Sequence, residues 1–169
     1  SAGWFSFVSF LSLYYMHKLN INDEIATLLN GMVALIGAIA TFFGGTVSDK
    51  IGFNRIITWA SLASAPFIIL FTQTDNAVIA TLLLIPFALL FFAAMSPTVV
   101  VGQKLLCKHI GMATGFTIGL SMSFGGLVAP LMGMLGDAYG IEYIMYAVAC
   151  FITIAAIATI FLPKVDAKA

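Results

Sequence analysis

Charged side chains are scarce in this sequence: only 8% of its 169 residues are Asp, Glu, Lys or Arg. Hydrophobic residues make up 62%, against about 45–50% in soluble domains. A surface that faces only water cannot be built from the remainder, so lipid must surround part of the protein. In hydrocarbon every backbone polar group must be paired within the structure, and the apolar stretches far exceed a barrel strand of about ten residues. The sequence therefore predicts an all-α integral membrane protein.

Several chemical signatures are also absent. The formal net charge is zero and no run is rich in Lys or Arg, which argues against nucleic acid as a partner. There is no nucleotide loop of the type G-x-x-x-x-G-K-[ST] and no cluster of Cys and His with metal-ligand spacing. Cys107 and Cys150 lie about 20 Å apart in membrane depth, too far for a disulfide. We expect no enzymatic activity, no cofactor, no metal site and no ATP-driven transport.

Charged and turn residues divide the chain into six apolar blocks. Four of them reach the roughly 20 residues that a span needs, whereas the first and third are shorter. The first block begins abruptly at Ser1, without an initiator methionine or a signal peptide, and we expect the sequence to be part of a longer chain. We predict a single transmembrane domain over residues 1–169, with spans at 1–17, 25–48, 56–71, 77–102, 111–136 and 143–162.

The basic residues predict the orientation of these spans. Alternate crossings leave Lys18 alone on one side, and an excess of Lys and Arg marks the cytoplasmic side. Both termini are therefore predicted to lie in the cytoplasm. The six basic residues on that side are Lys50, Arg55, Lys104, Lys108, Lys164 and Lys168.

A ladder of small residues ending in an acid occurs in both the second and the fifth block. The ladders are Gly37, Thr41, Gly45 and Asp49, and, 88 residues later, Gly125, Ala129, Gly133 and Asp137. The two acids fall on opposite sides of the membrane, which indicates two inverted three-helix repeats, as in many transporters. Small residues at every fourth position are also common wherever membrane helices approach closely, so packing alone is an alternative.

The fifth block carries a second stripe of small residues at four-residue spacing, and we expect a close helix crossing along it. Membrane helices tolerate glycine, and a proline within a span frees a carbonyl and kinks the helix, so bending or sliding is an alternative role. The packing or hinge candidates are Gly111, Gly115, Gly119, Gly125, Gly126, Pro130, Gly133 and Asp137.

The run from Gly45 to Arg55 falls in the predicted cytoplasmic turn between the second and third spans. It resembles the loop signature of the major facilitator superfamily, G-x-x-x-D-[RK]-x-G-[RK]-[RK], at Gly45, Asp49, Lys50 and Gly52. The usual basic pair after Gly52 is absent, and Arg55 comes one place late. Asp49 can face the positive N-terminal end of a helix in a partner half, which would latch the cytoplasmic side shut. Positive-inside anchoring explains Lys50 and Arg55 equally well.

The stretch 99–140 is similar to the fosmidomycin-resistance branch of that superfamily. Gln103 ends one helix, a G-M-x-[ST]-G run at 111–115 opens the next, and a G-G-x-x-x-P-x-x-G-x-x-x-D run at 125–137 closes it. The resemblance implies the C-terminal six-helix half of an efflux transporter in a bacterial inner membrane. It would expel small molecules such as antibiotics by alternating access, and Pro130 with its glycine neighbours is reminiscent of the superfamily's antiporter motif.

The apolar blocks lack the ionisable residues that usually couple transport to a proton gradient. No Asp, Glu, Lys or Arg lies deep within an apolar block, although such residues are the usual proton relays. If transport is driven by protons, the protonating acid must lie in the N-terminal half. The expected partners are thus that half, the lipid bilayer, a small-molecule substrate and protons.

Polar and aromatic residues within the spans are candidates for a substrate path. By resemblance the first, fourth and fifth spans border the central cavity, which favours Tyr14, Ser96 and Ser123. Tyrosines near span ends are also ordinary interfacial anchors, and membrane serines often bond to their own helix. The full candidate set is Tyr14, Tyr15, Asn30, Ser96, Gln103 and Ser123. Uptake of a metabolite by the same fold and a non-transporting membrane scaffold remain open alternatives.

Overall fold

The computed structural model describes residues 1–105 and 110–161, and all regular structure within them is helical. Cys107, Lys108, Lys164 and Lys168 lie outside the described residues, as does Leu162 at the predicted end of the last span. Helix α5 is a succession of three helical segments, of which the middle one is a π-helix. The helices are α1 Ala2–His17, α2 Asp23–Ile51, α3 Phe53–Gln73, α4 Ala77–Leu105, α5 Ile110–Thr114 with Gly115–Leu120 and Ser121–Tyr139, and α6 Ile141–Ile160.

Five of these described helices, α2 to α6, are long and apolar enough to cross a membrane. Helix α1 has 16 residues, which is about 24 Å of helix at about 1.5 Å per residue. Within such helices most backbone N–H and C=O groups pair internally, as lipid requires. The chain is therefore an integral membrane protein.

Two of the turns between helices consist of a single glycine. Gly52 joins α2 to α3 with φ +106°, and Gly140 joins α5 to α6 with φ +107°. This left-handed region strains residues that carry a Cβ, so glycine allows the helix to end and the next to begin at once. For this reason α3 starts at Phe53, three residues before its apolar block.

Aromatic side chains separate α1 from α4 at the centre of the bundle. The Trp4 ring stacks on Phe91 with centroids 5.5 Å apart and meets Phe92 edge-on at 4.5 Å. Further along the same helices, the centroids of Phe7 and Phe87 are 5.0 Å apart. Phe7 is fully buried. This interface is thus the middle of a core that α3 and α6 complete with Ile68, Phe71, Met145, Val148 and Ile152.

Helices α2 and α4 approach much more closely, because glycine faces α4. A Cβ on Gly44 would lie 2.5 Å from both the Cα and the carbonyl oxygen of Ala93. A Cβ on Gly37 would lie 2.4 Å from the Phe92 ring. Both distances are far below van der Waals contact, so this crossing requires residues without a side chain.

The close crossing expected along Gly111, Gly115 and Gly119 is not formed within the described chain, and this prediction is corrected. A Cβ at any of these positions would have no heavy atom within 4 Å, and the same holds at Gly126. The glycines of α5 whose Cβ positions do meet a neighbour lie further along the helix, at Gly125, Gly133 and Gly136. The stripe therefore faces away from the other described helices, and α5 is the least buried of the five long helices.

Substitution of Gly44 by Ala tests the α2–α4 crossing. The added methyl group would meet backbone atoms of Ala93, which cannot rotate away, so we expect a loss of about 1–3 kcal/mol of stability. Thermal unfolding of the full chain in detergent measures it. Gly31→Ala in the same helix is the matched control, since nothing lies within 4 Å of its Cβ position. Equal melting temperatures for the two variants would contradict the crossing.

Candidate functional site

The predicted cytoplasmic motif is mostly helical and only in part a turn, which corrects its placement. Residues up to Ile51 form the last turns of α2, and Gly52 alone makes the reversal. Asp49, Lys50 and Arg55 are exposed. Because Asp49 lies in the last turn of α2, its carboxylate is next to the negative end of that helix dipole, which disfavours it.

Phe53 occupies the first position of the basic pair that follows the second glycine in the superfamily signature. Its side chain is only 2% exposed and packs against Ile57 and Val101. The ammonium of Lys104 lies 4.9 Å from the centre of the Phe53 ring, in a cation–π contact. The ammonium of Lys104, which belongs to α4, therefore lies beside the position where the signature has a basic residue of its own.

The start of the motif also contacts α4. A Cβ on Gly45 would lie 3.1 Å from the hydroxyl oxygen of Ser96, tighter than most real contacts. Ser96 is half-buried. Ser96, a predicted substrate-path residue, therefore lies against Gly45, the first residue of the predicted cytoplasmic motif.

Tyr14 and Tyr15 are fully buried, which removes them from the candidate substrate path. The Tyr14 hydroxyl donates to the carbonyl oxygen of Thr72 at 3.0 Å, and the Tyr15 hydroxyl pairs with that of Thr81 at 3.1 Å. Both rings also contact Phe71. They hold the outer ends of α1, α3 and α4 together, and neither side chain reaches open space.

The other predicted path residues do not share one surface. Asn30 is half-buried and its side-chain amide donates to the carbonyl oxygen of Val8 at 3.1 Å, which ties α2 to α1. The Gln103 amide donates to the Thr114 hydroxyl at 2.9 Å, between α4 and α5. Ser123 is exposed on α5. Two of the three therefore link helices, and only Ser123 faces open space.

A cavity of about 470 Å³ lies beside the first residues of α1. Trp4, Phe91 and Phe124 provide apolar surface, and the hydroxyls of Ser61 and Ser121 are polar points in its wall. None of the six predicted path residues lines it. Aromatic residues inside apolar blocks give no sequence signal that separates a cavity wall from a lipid-facing surface, so these residues were not predicted.

The candidate hinge residues of α5 divide into two groups. Gly125 and Gly133 face α1, where a Cβ would lie 2.4 Å and 3.4 Å from the rings of Phe5 and Phe10 respectively. Pro130 and Asp137 are exposed, as is Gly126. The outer part of α5 is thus fixed against α1 by its glycines.

Lys18 connects three helix ends, those of α1, α3 and α6. Its ammonium is 3.0 Å from a Glu142 oxygen and 3.6 Å from an Asp75 oxygen, and it donates to the Thr72 carbonyl. Its side chain is 12% exposed. Burial by itself lowers the pKa of Lys18, but its interactions with Glu142 and Tyr14 outweigh burial and raise the pKa above the ordinary value. This pairing stabilises the charge of Lys18 at its largely buried position.

A bundle of long apolar helices joined by tight turns, with a charged motif at the end of α2, defines a helical membrane protein of the transporter type. The whole chain, residues 1–169, matches the family model of the Major Facilitator Superfamily. The protein belongs to this superfamily, whose members are transporters and not enzymes. The resemblance seen in the sequence is thereby confirmed.

Three curated proteins illustrate the relationship. The chain is 32% identical to the fosmidomycin resistance protein of Escherichia coli (strain K12), over 94% of this chain and 38% of that protein. It is 32% identical to the uncharacterized MFS-type transporter YfnC of Bacillus subtilis (strain 168), over 92% and 38%. It is 29% identical to the multidrug resistance protein MdtG of Proteus mirabilis (strain HI4320), over 95% and 41%. The chain therefore spans about two fifths of the length of these relatives. No solved structure matches it.

Replacement of Lys18 by Met tests the cluster around this residue. The Thr72 carbonyl and two carboxylates would lose their shared cation, so we expect a loss of about 1–3 kcal/mol of stability. Because the folded-state pKa of Lys18 is raised, its contribution is complete below the ordinary value of 10.5 and is lost only as the pH rises through the folded-state value. Thermal unfolding near neutral pH should therefore show the whole difference.

The control for this variant is Lys50→Met, which removes an exposed lysine at the opposite end of the bundle. We expect it to change stability by no more than about 0.5 kcal/mol. Equal stability of the Lys18 and Lys50 variants would show that the cluster does not hold the helix ends together.

Proposed function

We propose that this chain is the C-terminal half of a secondary active transporter that exports small molecules by proton-coupled alternating access. The observation that carries the proposal is the match to the Major Facilitator Superfamily along the entire chain. Two relatives support the direction of transport, since their names describe a fosmidomycin resistance protein and a multidrug resistance protein. The half acts without a cofactor and has no catalytic residues.

In this proposal the six helices form one transmembrane domain of two inverted three-helix repeats. Gly52 and Gly140 support the repeat, because two turns 88 residues apart have φ values of +106° and +107°. The shorter helix α1 then also crosses the membrane, which brings the number of spans to six. Both termini lie in the cytoplasm and the membrane is the bacterial inner membrane. The pairing of Lys18 on the outer face removes the one exception to the positive-inside pattern.

The partner half covers the exposed strip of α1. Helix α1 is flanked by α2 and α5 and turns Phe7 and Leu11 into the core. Its opposite side carries the exposed residues Ser9 and Leu13. With the exposed Ser123 of α5, Ser9 gives this surface hydroxyls, which suit a path for a small polar or amphipathic substrate. Ser9 was not among the predicted path residues.

Asp49 latches the cytoplasmic side in this mechanism. Its carboxylate is exposed and lies at the unfavourable, negative end of the α2 dipole. A helix N-terminus of the partner half, with its positive dipole end, would stabilise this charge when the two halves close on the cytoplasmic side. The proton-binding acid lies in that partner half, because no Asp or Glu lies deep within an apolar block of this chain.

Substrate flux in vesicles that contain the complete transporter tests the function. Export should require an imposed pH gradient and should collapse when a protonophore dissipates it. Accumulation of substrate in the opposite direction would identify an uptake permease, and the absence of any gradient-dependent flux would favour a membrane scaffold. Either result would overturn the export proposal.

Replacement of Asp49 by Asn in the complete transporter tests the latch. Loss of the charge at constant shape should lower the maximal transport rate about tenfold or more, with expression unchanged, because a charge-assisted contact contributes about 1.5–3 kcal/mol. Asp23→Asn is the matched control, since Asp23 is exposed at the other end of the same helix. Transport kinetics that are the same for both variants and the wild type would rule out the latch.

A further inference from the structure

The π-helical segment Gly115–Leu120 interrupts α5 in its cytoplasmic half. A π-helix is rare, and a short π segment within an α-helix acts as an inserted residue. One residue corresponds to a rotation of about 100° around an α-helix of about 3.6 residues per turn. The side chains of the cytoplasmic end of α5 are therefore rotated by about 100° about the helix axis, relative to their positions in an uninterrupted α-helix.

The two parts of α5 are attached to different neighbours. The outer part, Ser121–Tyr139, packs on α1 and α6, where a Cβ on Gly136 would lie 2.5 Å from the Ile144 side chain. The cytoplasmic part contacts α4. A rotation of one part against the other would consequently separate α5 from α4 without disturbing its contacts with α1.

Two adjacent residues of α4, Gly102 and Gln103, contact the beginning of the π segment, and we call these contacts the clasp. Gln103 donates a hydrogen bond of 2.9 Å to Thr114, the last residue before the segment. A Cβ on Gly102 would lie 2.7 Å from the hydroxyl oxygen of Thr117, which lies within it. The same Thr117 hydroxyl donates to the Ala113 carbonyl at 2.7 Å, across the junction between the two helix types.

The surroundings of the clasp leave room for movement. A Cβ at Gly111, Gly115 or Gly119 would meet no heavy atom within 4 Å, so rotation there brings no side chain of these residues into collision. Phe116 and Leu120 are exposed. The contacts with α4 are thus the main described restraint on the direction of the cytoplasmic end.

We propose that Gly115–Leu120 is a register switch, in which the π segment converts to α-helix and turns the cytoplasmic end of α5 by about 100°. Gln103 is the positioning residue that holds the π register. The inference rests on the proposed transport function, in which the helices at the cytoplasmic side must change partners as the halves rock. In this proposal Gly111, Gly115 and Gly119 allow the cytoplasmic end of α5 to rotate.

Distance measurements between spin labels on the complete transporter test the switch. The background lacks Cys107 and Cys150, and one pair is placed at Met112→Cys and Ile157→Cys, both exposed. We expect two distance populations for this pair. The control pair, Leu127→Cys with Ile157→Cys, probes the outer part of α5 and should give one population.

Two variants act on the clasp independently of the labels. Gln103→Leu removes the hydrogen bond, and Gly102→Ala places a methyl group against Thr117. Each should shift the ratio of the two populations about fivefold, equivalent to about 1 kcal/mol for one net hydrogen bond. Thr153→Val is the control for loss of a side-chain hydrogen bond elsewhere in the bundle, because the Thr153 hydroxyl donates to the Ala149 carbonyl of its own helix, α6, at 2.8 Å.

The outcomes separate the switch from the function. A single population for the Met112 pair in the wild type and in both clasp variants would overturn the switch, whether or not export is observed. Two populations that respond to Gln103→Leu and Gly102→Ala would support it. If export itself fails while the populations respond, the proposed function is wrong and the register switch remains.

Discussion

The pairing of every backbone N–H and C=O within its own helix is the constraint on which this structure depends. Lipid offers no alternative partner, so the helices form independently of one another and the fold is decided by how closely they approach. Glycine and aromatic residues set those distances in opposite ways. Gly44 lets the backbone of α2 touch Ala93 of α4, whereas Trp4 holds α1 and α4 apart by the width of its ring.

The C-terminal end of α4 contacts both of its chain neighbours. Lys104 lies over the Phe53 ring at the start of α3, and Gln103 bonds to Thr114 of α5. Gly102 allows Thr117 to come close. Three residues of α4 thus connect the charged motif of α2 and α3 with the π segment of α5. Movement of this end of α4 would change the contacts of both.

Most hydroxyl groups in the spans bond to their own helix, as Thr41 and Thr153 do. Polar contacts between helices involve longer side chains such as Tyr14, Asn30 and Gln103. The hydroxyls of Thr58 and Thr159, 2.9 Å apart, are a short-chain pair between α3 and α6. The polar residues that looked suited to a substrate path therefore serve largely as links between helices. Ser9 of α1 and Ser123 of α5, in contrast, are exposed.

The sequence by itself determined the helical membrane fold and the superfamily, because hydrophobic length and motif spacing are properties of single segments of the chain. Only the tertiary structure decided that Tyr14 and Tyr15 are buried, that Phe53 lies beneath Lys104, and that the stripe from Gly111 to Gly119 faces open space. In lipid an apolar side chain suits either a core or a membrane-facing surface, so composition does not assign it to one. The positions of the other helices do.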